Sequence, residues 1–559
     1  MKKLSLLTIS CGLLTIMTSC GGKLGALSAD NFTVTPNPLE AHAGQVPATI
    51  TGNFPEKYMN RKAVVTVTPV LRWNGGEMAG APATFQGEKV QGNNQTISYL
   101  VGGHYTMRAN FAYQPAMQQS QLYLTFNAYV GNKQVQIPEV MVATGVIATS
   151  QLVNQCLKEA TPSYGQDAFE RSTMHKQTAT IQFLLGQANL RASELNSDNI
   201  RQFIAKLKEI QANPEGNVIN NIEVSAYASP DGKYEINEKL AGKREANSSD
   251  YVKQQLKKTQ LDTFVDSKYT AEDWEGFQEL VAESSLQDKD LILSVLSMYK
   301  DPEEREREIK NIATVYKDLA DGILPQLRRA RLTANYEVIG RDDDQILAQF
   351  NDDATKLSLE ELVYAATLID NPAQKEAIYA KTIQLYPKDA RAYNNLGAMA
   401  YQNGNLDTAV NYFTQALSVN PQSAEANANM GLISLLNGKT DQAQQYLSKG
   451  SGADQLSTAL GALYISQGQY AQAAQALRGS NSNTAALAQL LAKDYTSCTA
   501  ALSGVKKPTA LTSYLKALVS ARSGYADGVT ENLKAAIAQD PSFAEYAKKD
   551  LELSKYANR

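Results

Sequence analysis

The sequence predicts a multidomain chain with an N-terminal β-sandwich, a central α+β domain that carries a helical insertion, and a C-terminal all-α superhelix of repeats. Three observations predict this fold class. Short alternating runs fill the first part, a strand–turn–helix corner marks the middle, and a pattern of about 34 residues recurs towards the end. The predicted boundaries are 24–150 for the sandwich, 165–345 for the central domain and 356–559 for the repeats.

Residues 1–20 have the pattern of an export signal. Lys2 and Lys3 precede an apolar segment, Leu4–Met17, and the segment ends at Ser19-Cys20. A small residue directly before the cysteine resembles the signal peptide of bacterial lipoproteins, and the resemblance implies a lipid on Cys20. An ordinary secretory signal with an incidental cysteine is the alternative. No acidic run follows Cys20, which favours an outer-membrane anchor that faces the periplasm.

Residues 24–150 alternate in the manner of sandwich strands. Runs such as Ala63–Thr68, Gln121–Phe126 and Val135–Ile137 are separated by clusters of Asn, Gly and Pro. Aromatic side chains in this region are either core and cross-strand partners or the lining of a sugar-binding face. These side chains are Trp73, Tyr99, Tyr105, Tyr113 and Tyr129.

The central domain is predicted from the order of its elements. Thr178–Leu185 and Arg331–Ile339 are the first and closing strands, and Ile222–Tyr227 is a strand with one buried face. A capped helix runs from Asn199 to about Ala212. Residues from about 261 to 322 interrupt this order with helix caps and i,i+4 charge pairs. They indicate a helical insertion, either a solvated hairpin packed on the domain or a partner surface.

A polar corner follows the strand that ends at Tyr227. The turn Pro230–Gly232 comes next, and helical spacing begins at Tyr234. Asn237 and Arg244 are seven residues apart, so they project from the same face of that helix. We define the polar corner as Ser229, Asp231, Asn237 and Arg244.

This corner resembles the OmpA-like periplasmic domain, in which a βαβ segment grips the peptide stem of peptidoglycan. Arg244 occupies the position of the family's arginine for the diaminopimelate carboxylate, and a guanidinium meets a carboxylate with two parallel hydrogen bonds. Gly232, Asn237 and Leu240 also match. The chain departs from the family at Ser229, where the family has an aspartate for the diaminopimelate ammonium, and Asp231 would have to replace it. The alternative for Arg244 is a salt bridge within its own domain.

The last third of the chain contains a repeat. With Ala390 as position 1, small residues occupy positions 8, 20 and 27, where they let two helices approach closely. This spacing resembles the tetratricopeptide repeat. Further units contain Met430–Leu447, Leu460–Leu477 and Ala517–Pro541, and a degenerate unit ends at Pro387.

The resemblance implies a superhelix with a concave groove for extended or helical peptide segments. The positions of the best unit that face this groove are Arg391, Asn394, Ala398 and Tyr401. We expect them to contact a partner protein; the alternative is that they are only solvated.

Composition is ordinary for a globular protein, because 43% of the 559 residues are hydrophobic and 20% are charged. Beyond the signal, no apolar run is long enough to span a membrane. Apart from Cys20 and the signal-peptide cysteine, only Cys156 and Cys498 are present, and they lie in different predicted domains, so no disulfide framework is indicated. No basic cluster suggests nucleic acid as a partner.

Catalytic motifs are not found in the sequence. His42, His104 and His175 lack metal-ligand spacing, and Ser297-x-x-Lys300 occurs without the other motifs of serine acyltransferases. We therefore expect no enzymatic activity, no metal site and no cofactor.

The predicted function is that of a non-enzymatic envelope lipoprotein that serves as a scaffold. A lipid on Cys20 would hold the chain to the outer membrane, the OmpA-like domain would contact peptidoglycan or a protein in its place, and the repeat groove would bind envelope proteins. A sandwich followed by an OmpA-like domain also resembles envelope proteins of Bacteroidota. The alternative is a lipoprotein that captures glycans with its sandwich, and a cell-wall enzyme is a more distant one.

Overall fold

A computed structural model describes residues 24–286, 288–311 and 317–557. The chain divides into two compact units, which we call the split unit and the central unit. The split unit contains the chain up to Gln166 together with the chain from Ile369 onwards, and the central unit contains Asp167–Leu368. The predicted signal peptide and Cys20 lie outside the described residues, so the lipid anchor stays a prediction. In the described ranges, no helix combines the length and the apolar character that a membrane crossing needs.

The N-terminal part of the split unit consists of strands, which together we call the β region, followed by one short helix. They are β1 (Phe32–Thr35), β2 (Leu39–Glu40), β3 (Gln45–Phe54), β4 (Ala63–Trp73), β5 (Gly76–Ala79), β6 (Ala83–Gly87), β7 (Gln95–Ile97), β8 (Gly103–Ala112), β9 (Gln121–Val130), β10 (Lys133–Val135), β11 (Val140–Thr144), β12 (Val146–Ile147) and α1 (Val153–Lys158). One sheet has the order β1-β3-β8 and the larger one the order β10-β9-β4-β6-β7.

The two sheets share one hydrophobic core, as the predicted sandwich requires. Val46, Ile50 and Phe111 come from the smaller sheet, and Val65 and Leu122 come from the larger one. These side chains are buried because each strand alternates between the core and solvent, which is the pattern the sequence predicted.

The central unit contains a mixed sheet and a series of helices. They are β13 (Ser172–Gln182), α2 (Ala192–Leu195), α3 (Asp198–Ala212), β14 (Asn217–Tyr227), α4 (Tyr234–Thr259), β15 (Phe264–Thr270), α5 (Trp274–Glu283), α6 (Lys289–Met298), α7 (Pro302–Asn311), a π-helical turn (Leu319–Ile323), α8 (Leu324–Leu327), β16 (Arg329–Ile339), α9 (Asp343–Asp353) and α10 (Leu359–Ala365). The sheet order is β13-β16-β14-β15. Strands β14 and β15 are parallel and are joined by α4, whereas β16 is antiparallel to both of its neighbours.

Three expectations for the central unit are corrected. The helical insertion does not begin near residue 261, because β15 extends to Thr270; its residues are mostly exposed at a sheet edge, so no apolar alternation marked them. For the same reason β13 begins at Ser172 and ends at Gln182 rather than spanning Thr178–Leu185. The insertion is more than a solvated hairpin, since Phe277, Ile292 and Ile309 belong to a core of their own.

The C-terminal part of the split unit is helical. Its helices are α11 (Pro372–Leu385), α12 (Ala390–Gln402), α13 (Leu406–Val419), α14 (Ala424–Leu436), α15 (Thr440–Leu447), α16 (Leu456–Ser466), α17 (Tyr470–Ala476), α18 (Asn483–Leu491), α19 (Tyr495–Ser503), α20 (Ala510–Arg522), α21 (Ala526–Gln539) and α22 (Ser542–Lys549). Residues 356–368, which we expected to open the repeats, belong to the central unit. In that unit Glu361 pairs with Arg341 at 2.8 Å.

Small residues bring paired helices together, as the repeat pattern predicts. A Cβ atom on Gly397 would lie 2.6 Å from Phe413 of the next helix, and one on Gly431 would lie 2.4 Å from Leu447. Such a distance is too short for any side chain larger than that of glycine. The pair α18 and α19 was not predicted from the sequence, because its turn contains Lys493 at φ 65° where the other turns have glycine.

Candidate functional site

The repeats hold a segment of the same chain, which we call the internal segment (residues 153–166). Its first part is α1, whose Val153, Cys156 and Leu157 are buried in the repeat core. From residue 160 to Gln166 the backbone continues without helix or strand. The β region and the repeats are therefore one unit rather than two separate domains, because the apolar residues of the connecting chain are part of the repeat core.

Two asparagines of the repeats bind the backbone of the internal segment. Asn429 accepts from the N–H of Ser163 at 2.8 Å and donates to its carbonyl at 2.8 Å. Asn395 accepts from the N–H of Gly165 at 2.7 Å and donates to its carbonyl at 3.0 Å. Both side chains are buried, so each amide satisfies its donor and acceptor on one backbone residue. Residues i and i+2 of an extended chain are thereby held as a neighbouring strand would hold them.

The polar groove residues predicted from the sequence contact the same segment. Arg391 donates to the carbonyl of Gln166 at 3.1 Å, and Asn394 donates to the carbonyl of Ser163 at 3.0 Å. The hydroxyl of Tyr401 donates to the carbonyl of Leu157 at 2.5 Å, and Ala398 is buried. The alternative that these residues are only solvated is wrong, because their contacts are with peptide. The peptide differs from the expected one, since it belongs to the chain itself rather than to a partner.

Close packing selects a small residue at the centre of the contact. A Cβ atom on Gly165 would lie 2.9 Å from the Cγ and 3.2 Å from the Cα of Arg391. The guanidinium of Arg391 is also fixed by Asp389 at 3.0 Å. The groove therefore binds backbone atoms through its amides and requires glycine at one position of the peptide.

Asn395 and Asn429 were missed in the sequence, although a signal for them exists. They are 34 residues apart and so occupy the same position in two successive repeats. A polar residue that recurs with the repeat period on a buried helix face lies on the same side of the superhelix each time. That recurrence distinguishes a ligand-facing position from an isolated polar residue.

At the polar corner, the acids and amides are paired within the central unit. Asp231 forms an ion pair with Arg328 at 2.9 Å and accepts from the hydroxyl of Ser229 at 2.6 Å. Asn237 donates to the carbonyls of Ser229 and Gly232 at 3.2 and 3.0 Å, which fixes the turn. Arg328 was missed in the sequence, where only its position directly before the closing strand is visible.

Arg244 lies behind this turn and is 0% exposed. Its guanidinium donates to the carbonyls of Tyr227 at 2.8 Å, Gln187 at 3.0 Å and Leu184 at 3.3 Å, and it stacks over the ring of Phe183. Burial, together with the nearby charge of Arg328, lowers the pKa of Arg244 to about 10.

The four residues of the polar corner thus lie together, but the side chain of Arg244 is not accessible to solvent. A ligand carboxylate would have to replace carbonyls that already satisfy its guanidinium. The acceptors of the Arg244 guanidinium are backbone carbonyl oxygens, and not the carboxylate of the salt bridge that was its alternative. The stem-binding role of this corner stays a prediction.

The insertion is joined to the turn of the polar corner. The N–H of Asp273 donates to the carbonyl of Ala228 at 3.2 Å, and its carboxylate pairs with Arg329 at 3.0 Å. Both ion pairs at this position, Asp231 with Arg328 and Asp273 with Arg329, are largely buried. The turn is therefore fixed from two sides, by the closing strand and by the start of the insertion.

Aromatic side chains of the β region do not form an exposed ring. Tyr105 belongs to the core, where it packs against Phe85 with ring centroids 4.2 Å apart. Trp73, Tyr99 and Tyr113 are half-buried, and Tyr129 alone of the five is exposed. This arrangement matches core and cross-strand packing rather than a sugar-binding face.

Among the described residues we find no candidate metal-ion site, and both cysteines are buried. Within residues 24–286, 288–311 and 317–557, no group of three or more His, Cys, Asp or Glu residues is placed to hold a metal ion. Cys156 and Cys498 are buried free thiols. Burial raises the pKa of Cys498 to about 12, which keeps it a neutral thiol.

Comparisons with known proteins address the repeats. The tetratricopeptide-repeat family matches residues 390–423 in one model and residues 412–445 in another. Among solved structures, a tetratricopeptide repeat protein from Parabacteroides merdae ATCC 43184 is 16% identical, with 37% of this chain and 91% of that chain covered and a TM-score of 0.29. PilW, a type IV pilus biogenesis factor, is 18% identical, with coverage of 36% and 98% and a TM-score of 0.28. YrrB, a tetratricopeptide repeat protein with an unusual peptide-binding site, is 16% identical, with coverage of 37% and 100% and a TM-score of 0.22.

The comparison with curated proteins found no match. The family matches cover the first two helix pairs, which also supply Asn395 and Asn429. The C-terminal part of this chain therefore contains tetratricopeptide repeats.

Proposed function

We propose that this protein is a non-enzymatic scaffold of the outer membrane, anchored by a lipid on Cys20, facing the periplasm and assembling envelope proteins around its repeats. Tetratricopeptide repeats suggest a protein-interaction scaffold. The observation that carries the proposal is the pair of amide contacts from Asn395 and Asn429 to the backbone of Ser163 and Gly165. In these contacts the repeat groove binds a peptide backbone.

The groove contributes to this scaffold as an internal clamp. An intramolecular peptide competes at an effective concentration in the millimolar range, well above that of most cellular partners. The internal segment also buries Val153, Cys156 and Leu157, which a partner peptide would have to displace. We therefore infer that the groove holds the internal segment, and that a partner peptide, which the sequence predicted there, could bind only by displacing it.

In this proposal the central unit binds a protein partner. Its resemblance to OmpA-like domains implies the peptidoglycan stem as a ligand. Two features favour a protein partner in its place: Ser229 replaces the family's acid, and Arg244 has satisfied its guanidinium with carbonyls. The rival proposal, a glycan-capturing lipoprotein, has no support from the aromatic side chains of the β region.

Membrane fractionation with a Cys20→Ala variant tests the proposal. Wild-type protein should incorporate labelled palmitate and sediment with outer membranes, and the variant should do neither, because acyl burial supplies the attachment. Envelope proteins that co-purify with wild-type protein should also disappear from the membrane fraction of the variant. A wild-type protein that stays unlabelled, and whose location the substitution leaves unchanged, would contradict the lipid anchor.

A further inference from the structure

One end of the β region contains the first described residues and several loops. In the smaller sheet Phe54 pairs with Gly103 and Phe32 with Gly52, so β3 ends where β1 and β8 begin. In the larger sheet Ala63 pairs with Val130, so β9 ends where β4 begins. Residues 55–62 connect the end of β3 to the start of β4 and so bring the two sets of ends together. We call this the distal end. Its segments are residues 24–31, 55–62, 88–102 and 131–133, and we call them the distal loops, although β7 lies within the third and Lys133 is the first residue of β10. The opposite end packs against the repeats, where the rings of His42 and Tyr470 lie 5.2 Å apart.

The distal end exposes an apolar loop tip. Val101 is 75% exposed and Leu100 is 59% exposed, which makes Val101 the most exposed large hydrophobic side chain among the described residues. The tip is held in place by two backbone hydrogen bonds, from Gly102 to Ser98 at 3.0 Å and from Lys57 to Tyr99 at 2.6 Å. A Cβ atom on Gly102 would lie 2.2 Å from the carbonyl oxygen of Phe54, so the loop is packed at its base. A fixed loop thus presents two apolar side chains to the surroundings.

Basic residues outnumber acidic residues in the distal loops. The distal loops contain exposed basic residues, namely Lys57, Arg61, Lys62, Lys89 and Lys133, against the acids Asp30, Glu56 and Glu88. Glu88 is already engaged, since it accepts from Ser98 at 2.8 Å and lies 3.4 Å from Arg61. Arg61 also lies over the ring of Tyr99. An apolar tip in a set of loops that also contains lysines and tyrosines has the composition of a surface that meets lipid headgroups.

The start of the described chain lies at the same end. Leu24 is buried there, and the hydroxyl of Tyr58 donates to the carbonyl of Gly25 at 2.9 Å. Cys20 precedes Leu24 by four residues, a span that reaches at most about 14 Å when fully extended. A lipid on Cys20 would therefore bring a membrane to this end of the β region and to no other.

We propose that the distal end lies on the lipid surface, with Leu100 and Val101 inserted at the headgroup level and Lys57, Lys62, Lys89 and Lys133 facing anionic headgroups. The orientation rests on the proposed lipid on Cys20. The occupant is a bilayer rather than a protein because the surface combines a small apolar tip with an excess of basic charge at the attachment point. The repeats then project away from the membrane, since they pack at the opposite end of the β region.

A fluorescent label at the tip tests this orientation. Full-length Leu100→Cys protein, purified from membranes with its lipid, is labelled with an environment-sensitive dye and reconstituted in phosphatidylethanolamine and phosphatidylglycerol vesicles. Met141→Cys is the matched control, because Met141 is 43% exposed in β11, away from the distal loops. Cys156 and Cys498 are buried and should not react. Nitroxide lipids should quench the label at position 100 at least threefold more than the label at position 141.

The possible outcomes distinguish the lipid contact of the distal end from the lipid anchor on Cys20. Equal quenching at both positions in a lipid-bearing protein overturns the distal-end contact and leaves the anchor standing. If the purified chain carries no lipid, the anchor fails, and sedimentation of the unlabelled chain with phosphatidylglycerol vesicles decides the surface separately. A threefold loss of sedimentation in Leu100→Asp, with Met141→Asp unchanged, then supports the lipid contact. No sedimentation of the wild-type chain overturns it.

Discussion

The side-chain amide of Asn395 lies against the backbone of Gly165, accepting from its N–H at 2.7 Å and donating to its carbonyl at 3.0 Å. The two residues are far apart in sequence, and their contact joins the chain that leaves the β region to the first repeat pair. Asn429 makes the equivalent contact with Ser163. A repeat groove that usually serves a partner is here a means of holding one chain together.

Removing the Asn395 amide should destabilise the split unit. Asn395→Ala leaves the N–H and the carbonyl of Gly165 buried without that partner, which should cost about 2 to 3 kcal/mol in the free energy of unfolding. Chemical denaturation followed by helical circular dichroism measures it. Asn437→Ala is the control, since Asn437 is exposed at the end of α14 and its replacement should cost less than about 0.5 kcal/mol. Equal small effects in both variants would contradict the clamp.

The groove was partly predictable from the sequence. Repeat spacing placed Arg391, Asn394 and Tyr401 on the peptide-facing side because helix periodicity fixes which positions share a face. The occupant was not predictable, since residues 153–166 have no pattern that differs from an ordinary linker. Long-range contacts of this kind depend on the relative placement of two folded parts, which local periodicity does not encode.

The turn at Lys493 should be a point of strain. Lys493 has φ 65°, a conformation that costs an L-residue about 1 to 2 kcal/mol, whereas Gly404, Gly438 and Gly468 occupy the equivalent turns without that cost. Lys493→Gly should therefore raise the unfolding free energy of the split unit by up to about 1 kcal/mol. Gly404→Ala should lower it by about 1 kcal/mol in the same thermal or chemical unfolding experiment. A loss of stability in Lys493→Gly would show that its side chain does more than occupy the turn.

The stability of the split unit should depend on the protonation of Asp550. Burial raises the pKa of this carboxyl to about 6, although the hydroxyl of Tyr514 donates to it at 2.6 Å. The unfolded value is about 3.9, so the folded unit binds this proton more tightly. The protonated carboxyl of Asp550 therefore contributes about 2 to 3 kcal/mol to the free energy of unfolding below pH 4, and this contribution is lost as pH rises through 6.

Comparison of wild type with Asp550→Asn isolates this dependence. The stability of wild type minus that of the variant should fall between pH 4 and pH 6 and level off above pH 7. Glu545→Gln is the control with the opposite sign, because Lys548 lowers the pKa of the exposed Glu545 carboxyl. A difference for Asp550→Asn that rises with pH would contradict the raised pKa.

Arg244 should act on the stability of the central unit rather than on wall binding. Arg244→Ala removes the donor for three backbone carbonyls and should cost at least about 3 kcal/mol. Fluorescence of Trp274, in a Trp73→Phe background, follows the unfolding of this unit. Lys243→Ala, at the exposed neighbouring position, should stay within about 0.5 kcal/mol of the parent. Retention of wild type on purified sacculi, abolished by Arg244→Ala, would contradict a closed corner.

The central unit shows where sequence reasoning succeeds and where it stops. The helix from Asp198 to Ala212 and the strand that ends at Ile339 were located to within two residues, because each buries one regular face. Edge strand β13 was misplaced and edge strand β15 was missed, since exposed residues have no reason to alternate. At the polar corner the predicted residues do lie together, but Arg328 contacts them from about a hundred residues away in sequence, which no local pattern indicates.

Hydrogen exchange of the internal segment tests the central claim most directly. The N–H groups of Ser163 and Gly165 donate to buried asparagine side chains, so these amides should exchange only when the split unit opens. Mass spectrometry of the full-length chain should find a peptide that covers residues 161–166 as protected as α12 and α14. The double variant Asn395→Ala with Asn429→Ala should expose this peptide first, at least tenfold faster than the helices. Exchange of the wild-type peptide within seconds, as in a free linker, would contradict the account.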